Sequence, residues 1–213
     1  MTMIKNTVWL VVIIFLLSGC TTHSDALRGQ GAGAGAVAGA GLGYLLGGKD
    51  GATFGAVLGA LVGFTAGHEV SRRKEQYASQ EEAVTAETKR IRQVTEQTQG
   101  YNEQLEKTIQ TNRVKIAELE ATQNRTQESE IALKEQYERT AQLHVEAEKA
   151  LKGVENELQV QQQLYAEYEG QSQNVQDYSQ DLKNWETKIA QLETEKQTLQ
   201  SNVETLSAFN PNL

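Results

Sequence analysis

The spacing of hydrophobic and polar positions divides the chain into three parts. Residues 8–17 form one uninterrupted apolar run, and residues 31–67 combine small and apolar side chains with regularly spaced glycines. Beyond residue 71 the chain is polar, and its apolar residues recur at intervals of three and four, as on one face of a helix. No long stretch alternates with period two, so the pattern predicts an all-α protein.

The most regular helical pattern closes the chain. Ten successive positions alternate by three and four residues, and only Lys196 among them is polar. This heptad spacing predicts a coiled-coil seam. Its apolar members are Val175, Tyr178, Leu182, Trp185, Ile189, Leu192, Leu199, Val203 and Leu206.

Weaker repeats precede this seam, so we expect an elongated α-helical coiled coil over residues 71–208, followed by a short tail, 209–213. Breaks are expected near residues 122–130, which contain no apolar side chain, and near residues 170–174, where the repeat slips. One unbroken helix over this region would be roughly 205 Å long. A bend near 122–130 would instead form an antiparallel hairpin, and a partly stable single helix is the third alternative.

Residues 31–67 carry ten glycines in a single four-residue phase. In water such a helix is poor, because each glycine costs about 1 kcal/mol relative to alanine. In a bilayer helix is enforced, and small residues at every fourth position let two backbones approach closely. The turn signal at residues 47–51 therefore predicts a membrane-inserted glycine-zipper helical hairpin, with a flexible linker as the alternative. The glycines are Gly31, Gly35, Gly39, Gly43, Gly47, Gly51, Gly55, Gly59, Gly63 and Gly67.

The apolar run at residues 8–17 is about ten residues long, too short to span a bilayer but typical of a secretory signal. The sequence Leu17-Ser18-Gly19-Cys20 that ends it resembles the lipobox of bacterial lipoproteins. The resemblance implies that residues 1–19 are removed and that Cys20 is acylated at the start of a linker, 20–30. Thr21, where these lipoproteins carry Asp for inner-membrane retention, implies outer-membrane export. A signal peptide with a coincidental cysteine is the alternative.

Taken together, the lipobox and the glycine ladder resemble the glycine-zipper lipoproteins of Gram-negative outer membranes. The resemblance covers residues 17–67 and implies a role in envelope integrity. Because a hairpin returns the chain to its starting side, the coil would lie on the same face as Cys20, in the periplasm. The basic triplet Arg72-Arg73-Lys74 would then be a lipid headgroup anchor or a solvated helix face.

Composition and charge narrow the chemistry. Positive and negative charges balance over residues 1–70, so the net charge of −8 lies in the tail and argues against a nucleic-acid partner. Cys20 is the single cysteine, the three histidines are scattered, and the carboxylates are expected on solvated helix faces, so no metal site is predicted. The chain also lacks the nucleophile, zincin and phosphate-loop motifs. We therefore expect no enzyme, no catalytic residue and no cofactor other than the covalent lipid.

Two functions follow from these features. In the first, the protein is a structural lipoprotein that binds membrane lipid, self-associates through zipper and coil, and holds a periplasmic protein or cell-wall partner. In the second, the zipper oligomerises into a pore or lysis-type assembly. The hairpin has no polar face to line a channel, which favours the first.

Overall fold

Four helices account for nearly all of the chain that the structure describes. A computed structural model describes residues 56, 58–61, 66–122, 126–171 and 179–209. The helices are α1 (Ala66–Lys74), α2 (Gln80–Glu120), α3 (Gln127–Gln171) and α4 (Ser179–Ala208), and residues 58–61 are helical as well. No strand occurs within these ranges, so the prediction of an all-α protein is confirmed.

Several predicted features lie outside the described residues. These are the signal segment, the lipobox with Cys20 and Thr21, eight of the ten zipper glycines, the seam residues Val175 and Tyr178, and the last four residues. In the part of the chain that the structure covers, no helix has both the length and the apolar character needed to cross a bilayer.

Local chemistry sets the start of the two longest helices. Ser79 caps α2, because its side chain accepts a hydrogen bond from the backbone N–H of Glu82 (3.2 Å). The Glu82 carboxylate accepts in turn from the backbone N–H of Ala78 (2.9 Å). At the start of α3, the Thr126 hydroxyl accepts from the backbone N–H of Ser129 (3.3 Å). These bonds satisfy N–H groups that have no partner within a helix.

The chain reverses where the apolar pattern fails. The helix α2 ends at Glu120, just before residues 122–130, which have no apolar side chain. The helix α3 begins at Gln127, within that segment. The helix α3 ends at Gln171, beside the second irregularity of the repeat. Long helices in proteins are held by packing of an apolar face, so a break is favoured where that face is missing.

These reversals make α2, α3 and α4 a three-helix bundle in which every pair of helices packs together. The antiparallel arrangement of α2 and α3 is marked at one end by a hydrogen bond between Gln80 and Gln171 (2.6 Å). Nearer the other end, Asn112 donates to Thr140 (3.3 Å). The tail is therefore neither a single rod nor a two-helix hairpin, since it folds back twice.

The apolar seam of α4 is buried within the same chain. Trp185, Leu192 and Leu199 are fully buried and belong to one apolar cluster that also contains core residues of α2 and α3. Leu182, Val203 and Leu206 are buried as well, and Ile189 is partly buried. The seam positions thus contact α2 and α3 of their own chain.

Candidate functional site

The most unusual feature of the bundle is a fully buried arginine at the end of α1. Arg73 is 1% exposed, and its guanidinium contacts carboxylates from three helices. Its Nε donates to Glu69 of α1 (2.8 Å), and its Nη1 donates to Glu87 of α2 (3.0 Å). Nη1 and Nη2 also donate to the two carboxylate oxygens of Glu157 in α3 (2.9 and 2.6 Å). Such bidentate, charge-assisted pairs are the strongest class of protein hydrogen bond.

The helix α4 joins these ion pairs through the side-chain amide of Gln161 in α3. Gln161 donates to Glu87 (2.6 Å) and to Glu157 (2.8 Å), while its oxygen accepts from the indole N–H of Trp185 in α4 (2.6 Å). Arg90 of α2 adds a second cation beside Glu157, with Nε 3.1 Å from the carboxylate. One polar network, here called the neck network, therefore connects α1, α2, α3 and α4.

The remaining oxygens of the neck network are also occupied. Tyr77, in the turn between α1 and α2, donates its hydroxyl to Glu87 (2.5 Å). Arg72 forms a second pair with Glu69, whose Oε2 lies 2.8 Å from the arginine Nε. The rings of Trp185 and Tyr165 are nearly perpendicular, with centroids 5.7 Å apart, and this aromatic contact lies beside the indole N–H that joins the network.

Electrostatics keep the carboxylates of Glu69 and Glu157 ionised and the hydroxyl of Tyr77 protonated. Burial alone would raise the pKa of Glu157, but attraction by Arg90 and Arg73 and the hydrogen bonds from Arg73 and Gln161 outweigh it, so the pKa lies far below its ordinary value. Burial also acts to raise the pKa of Glu69, but the hydrogen bonds from Arg72 and Arg73 and the attraction of both arginines outweigh it, so this pKa is lowered as well. Burial and the neighbouring Glu87 raise the pKa of Tyr77, so its hydroxyl stays a donor.

The second zipper arm is the part of the predicted hairpin that follows its turn, residues 51–67, and its described residues 58–61 lie against the same bundle. Leu58, Ala60 and Leu61 are almost fully buried, and the two leucines belong to the apolar cluster of the bundle core. The side-chain amide of Asn156 in α3 donates to the backbone carbonyl of Leu61 (3.3 Å). The arm and α1 are thus both attached to α3, near the neck network.

This geometry corrects two interpretations of the sequence. Arg73 is neither a headgroup anchor nor part of a solvated face, since its guanidinium is buried and forms ion pairs with buried carboxylates. Its neighbours in the basic triplet are paired too, Arg72 with Glu69 and the more exposed Lys74 with Glu167. The expectation of solvated carboxylates is wrong for Glu69, Glu87 and Glu157, which are at most 3% exposed.

A signal for the buried carboxylates was present in the spacing. In α3 the buried positions alternate by three and four and include Glu157 and Gln161. The same alternation in α2 includes Glu87, between Val84 and Ile91. Burying a charged side chain at a seam position costs much free energy unless an opposite charge pairs with it. A buried glutamate at these positions therefore predicts a buried cation from elsewhere in the chain.

The arrangement is suited to holding helices together. Each carboxylate of the neck network is engaged by cations or hydrogen-bond donors, and Arg73 uses all three of its nitrogens. Within the described ranges, no three side chains of the metal-ligating types come together. Of the two predicted zipper glycines that the structure covers, Gly67 is exposed, and a methyl group added there would meet nothing within 4 Å.

The amino-terminal third of the chain can be compared with known proteins. Residues 3–71 match the YMGG-like Gly-zipper family. The match includes the glycine ladder and ends two residues before Arg73, so the bundle lies beyond it. It supports the glycine-zipper interpretation and indicates a membrane-associated protein. No curated protein and no solved structure matches the chain.

Proposed function

We propose that this protein is a non-enzymatic lipoprotein of the outer membrane, in which a lipidated Cys20 and a glycine-zipper hairpin hold a periplasmic three-helix bundle at the membrane as an envelope scaffold. The observation that carries the proposal is the match of residues 3–71 to a Gly-zipper family. That match contains both Leu17-Ser18-Gly19-Cys20 and the ten-glycine ladder.

The neck network supports a scaffold, because it sets how the bundle leaves its anchor. The helix α1 begins at the end of the zipper segment, and Arg73 joins it to α2 and α3 through buried ion pairs. A flexible linker would let the bundle rotate freely, whereas buried bidentate pairs fix direction as well as distance. The bundle's longest helix has 45 residues, a length of about 68 Å. The protein would present this body at a defined angle to the membrane.

Self-association is assigned to the zipper under this proposal. The apolar seam of α4 is covered by α2 and α3 of the same chain, so it offers no apolar stripe to another copy. Glycines at every fourth position allow close backbone contact between helices in lipid. The outer surface of the bundle remains for a periplasmic protein or for the cell wall.

The lipid anchor is tested by the variant Cys20→Ser in the full chain. We expect the wild type to incorporate labelled fatty acid and to sediment with outer-membrane vesicles, and the variant to do neither, because no other side chain of the protein is a thiol. Thr22→Ala, two residues away, is the matched control and should behave as wild type. Wild-type protein without label, or recovered from the soluble fraction, would overturn the anchor.

The zipper is tested by the triple variant Gly55→Leu, Gly59→Leu and Gly63→Leu. Added side chains would hold two backbones apart, so we expect crosslinking between copies in membranes to fall to background. The control keeps the three glycines and places leucine at three positions on the opposite face of a helix, with Thr53→Leu, Val57→Leu and Phe64→Leu. Equal crosslinking of both variants contradicts the assignment, and rapid dye release from liposomes holding wild-type protein would favour a pore instead.

A further inference from the structure

Residues 58–61 of the second zipper arm pack against the bundle at a defined site on α3, here called the seat. Leu58 is 1% exposed and Leu61 is 2% exposed, and both join the apolar cluster of the bundle core. Asn156 adds a directional contact, donating its amide N–H to the carbonyl of Leu61 (3.3 Å). The arm is therefore held by apolar burial and by one side-chain hydrogen bond to its backbone.

The seat and the bilayer compete for the same side chains. Lipid tails are as apolar as leucine, so Leu58 and Leu61 can be buried in either place at similar free energy. They cannot be in both, because α3 carries exposed charges such as Lys152 and Glu155 beside Asn156 and cannot follow the arm into hydrocarbon. The bond from Asn156 exists only in the seated arrangement.

We propose that the face of α3 around Asn156 is an intramolecular docking surface for the chain's own second zipper arm, which leaves this surface when it inserts into the membrane. The inference rests on the proposed function for the inserted state. Docking keeps Leu58 and Leu61 out of water, and away from the arms of other copies, until the chain reaches a bilayer. The occupant is this chain's own arm because the structure shows those residues seated there.

Proximity is tested on the full lipidated protein in mild detergent, before its transfer to phosphatidylethanolamine and phosphatidylglycerol vesicles, with a short thiol crosslinker. The near pair is Leu61→Cys with Lys152→Cys, which lies one helical turn from Asn156. The far pair is Leu61→Cys with Glu128→Cys, 28 residues from Asn156 and so about 42 Å away along α3. We expect the near pair to crosslink and the far pair to remain unlinked. Equal crosslinking of both pairs overturns the docking surface.

Exclusivity is tested by adding Ala56→Trp to the near pair, so that brominated lipid quenches its fluorescence when the arm is inserted. We expect crosslinking beforehand to abolish the quenching. Quenching that is unchanged by the crosslink, or absent before it, overturns the exchange between the two states. Trp185 is fully buried in the bundle and provides an unquenched background.

The contribution of Asn156 is tested by Asn156→Asp in a protein that carries Leu61→Cys and Lys152→Cys. A carboxylate cannot donate to the Leu61 carbonyl. The ratio of docked to inserted arm, measured from the yield of the near crosslink, should therefore fall about fivefold, the factor expected for one net hydrogen bond. Asn184→Asp, on the exposed side of α4, should leave the ratio unchanged, and an equal effect of both changes would overturn the role of Asn156. Trp185 fluorescence reports whether each variant is folded.

The same samples separate this inference from the proposed anchor. Acylation consumes the Cys20 thiol, so the lipidated protein should show only the two engineered thiols. A third reactive thiol, with no flotation of the protein with vesicles, would count against the anchor, while the ratio of near to far crosslinking would still decide the docking surface.

Discussion

At the scale of single residues, Arg73 has the largest effect on how the molecule is organised. Its side chain is almost fully buried and pairs with three carboxylates, of which those of Glu87 and Glu157 are completely buried. Replacing a buried ion pair by apolar groups can be neutral, but removing one partner leaves unpaired buried charge and is strongly destabilising. The neck network therefore depends on its central cation.

We expect Arg73→Gln to lower the free energy of unfolding by about 3–5 kcal/mol, because Glu87 and Glu157 would lose their shared cation. Chemical denaturation followed by Trp185 fluorescence measures it, since Trp185 is the single tryptophan outside residues 1–19 and donates into the network. Arg113→Gln, on the exposed surface of α2, is the control and should change the value by less than about 0.5 kcal/mol. Similar losses for both arginines would contradict the central role of Arg73.

At the scale of elements, α4 is the helix that closes the bundle. Its apolar positions follow the heptad rule that also describes an intermolecular coiled coil, and the difference lies only in which helices cover them. Leu192 and Leu199 are fully buried in a cluster shared with α2 and α3. The closing helix therefore stabilises a single chain.

Leu199→Ala tests this assignment. Removing a fully buried leucine side chain should lower the free energy of unfolding by about 2–5 kcal/mol. The midpoint of thermal unfolding should not vary with protein concentration, because helices of the same chain cover the described seam residues of α4. Val114→Ala, at a position that is 56% exposed, should be nearly neutral. A midpoint that rises with concentration would show that the seam joins two chains.

At the scale of the whole molecule, the neck network makes the stability of the fold dependent on pH. Glu69 and Glu157 both have a pKa below the ordinary value when folded. A carboxyl group of this kind adds stability above its unfolded pKa, and that stability is lost as the pH falls toward the folded pKa. Protonation would also leave Arg73 and Arg90 without their counter-charge.

We therefore expect the free energy of unfolding to be steady near neutral pH and to decline progressively below about pH 5. Trp185 fluorescence over a denaturant series at each pH measures the decline. Glu157→Gln should be less stable at neutral pH but should show a shallower acid decline, because one titrating group is gone. An acid decline of unchanged slope in this variant would assign the effect to carboxylates elsewhere.

The sequence by itself determined the class of the fold and its local divisions. The helices are predicted by apolar residues that recur every three or four positions, which is a local property of the sequence. The end of α2 lies next to a segment that has no apolar side chain to pack. The glycine ladder is likewise visible without coordinates, because a single four-residue phase over ten positions needs no tertiary information.

Only the tertiary structure decided what the helices pack against. A heptad seam looks the same whether its partner is another chain or an earlier helix of its own, since the apolar free energy is non-directional. The ion pair between Arg73 and Glu157 joins residues 84 positions apart in the chain, and no local pattern connects them. The spacing places Glu87 and Glu157 among seam positions, but only the fold shows that Arg73 is their partner. The contact between Asn156 and Leu61 likewise joins distant parts of the chain.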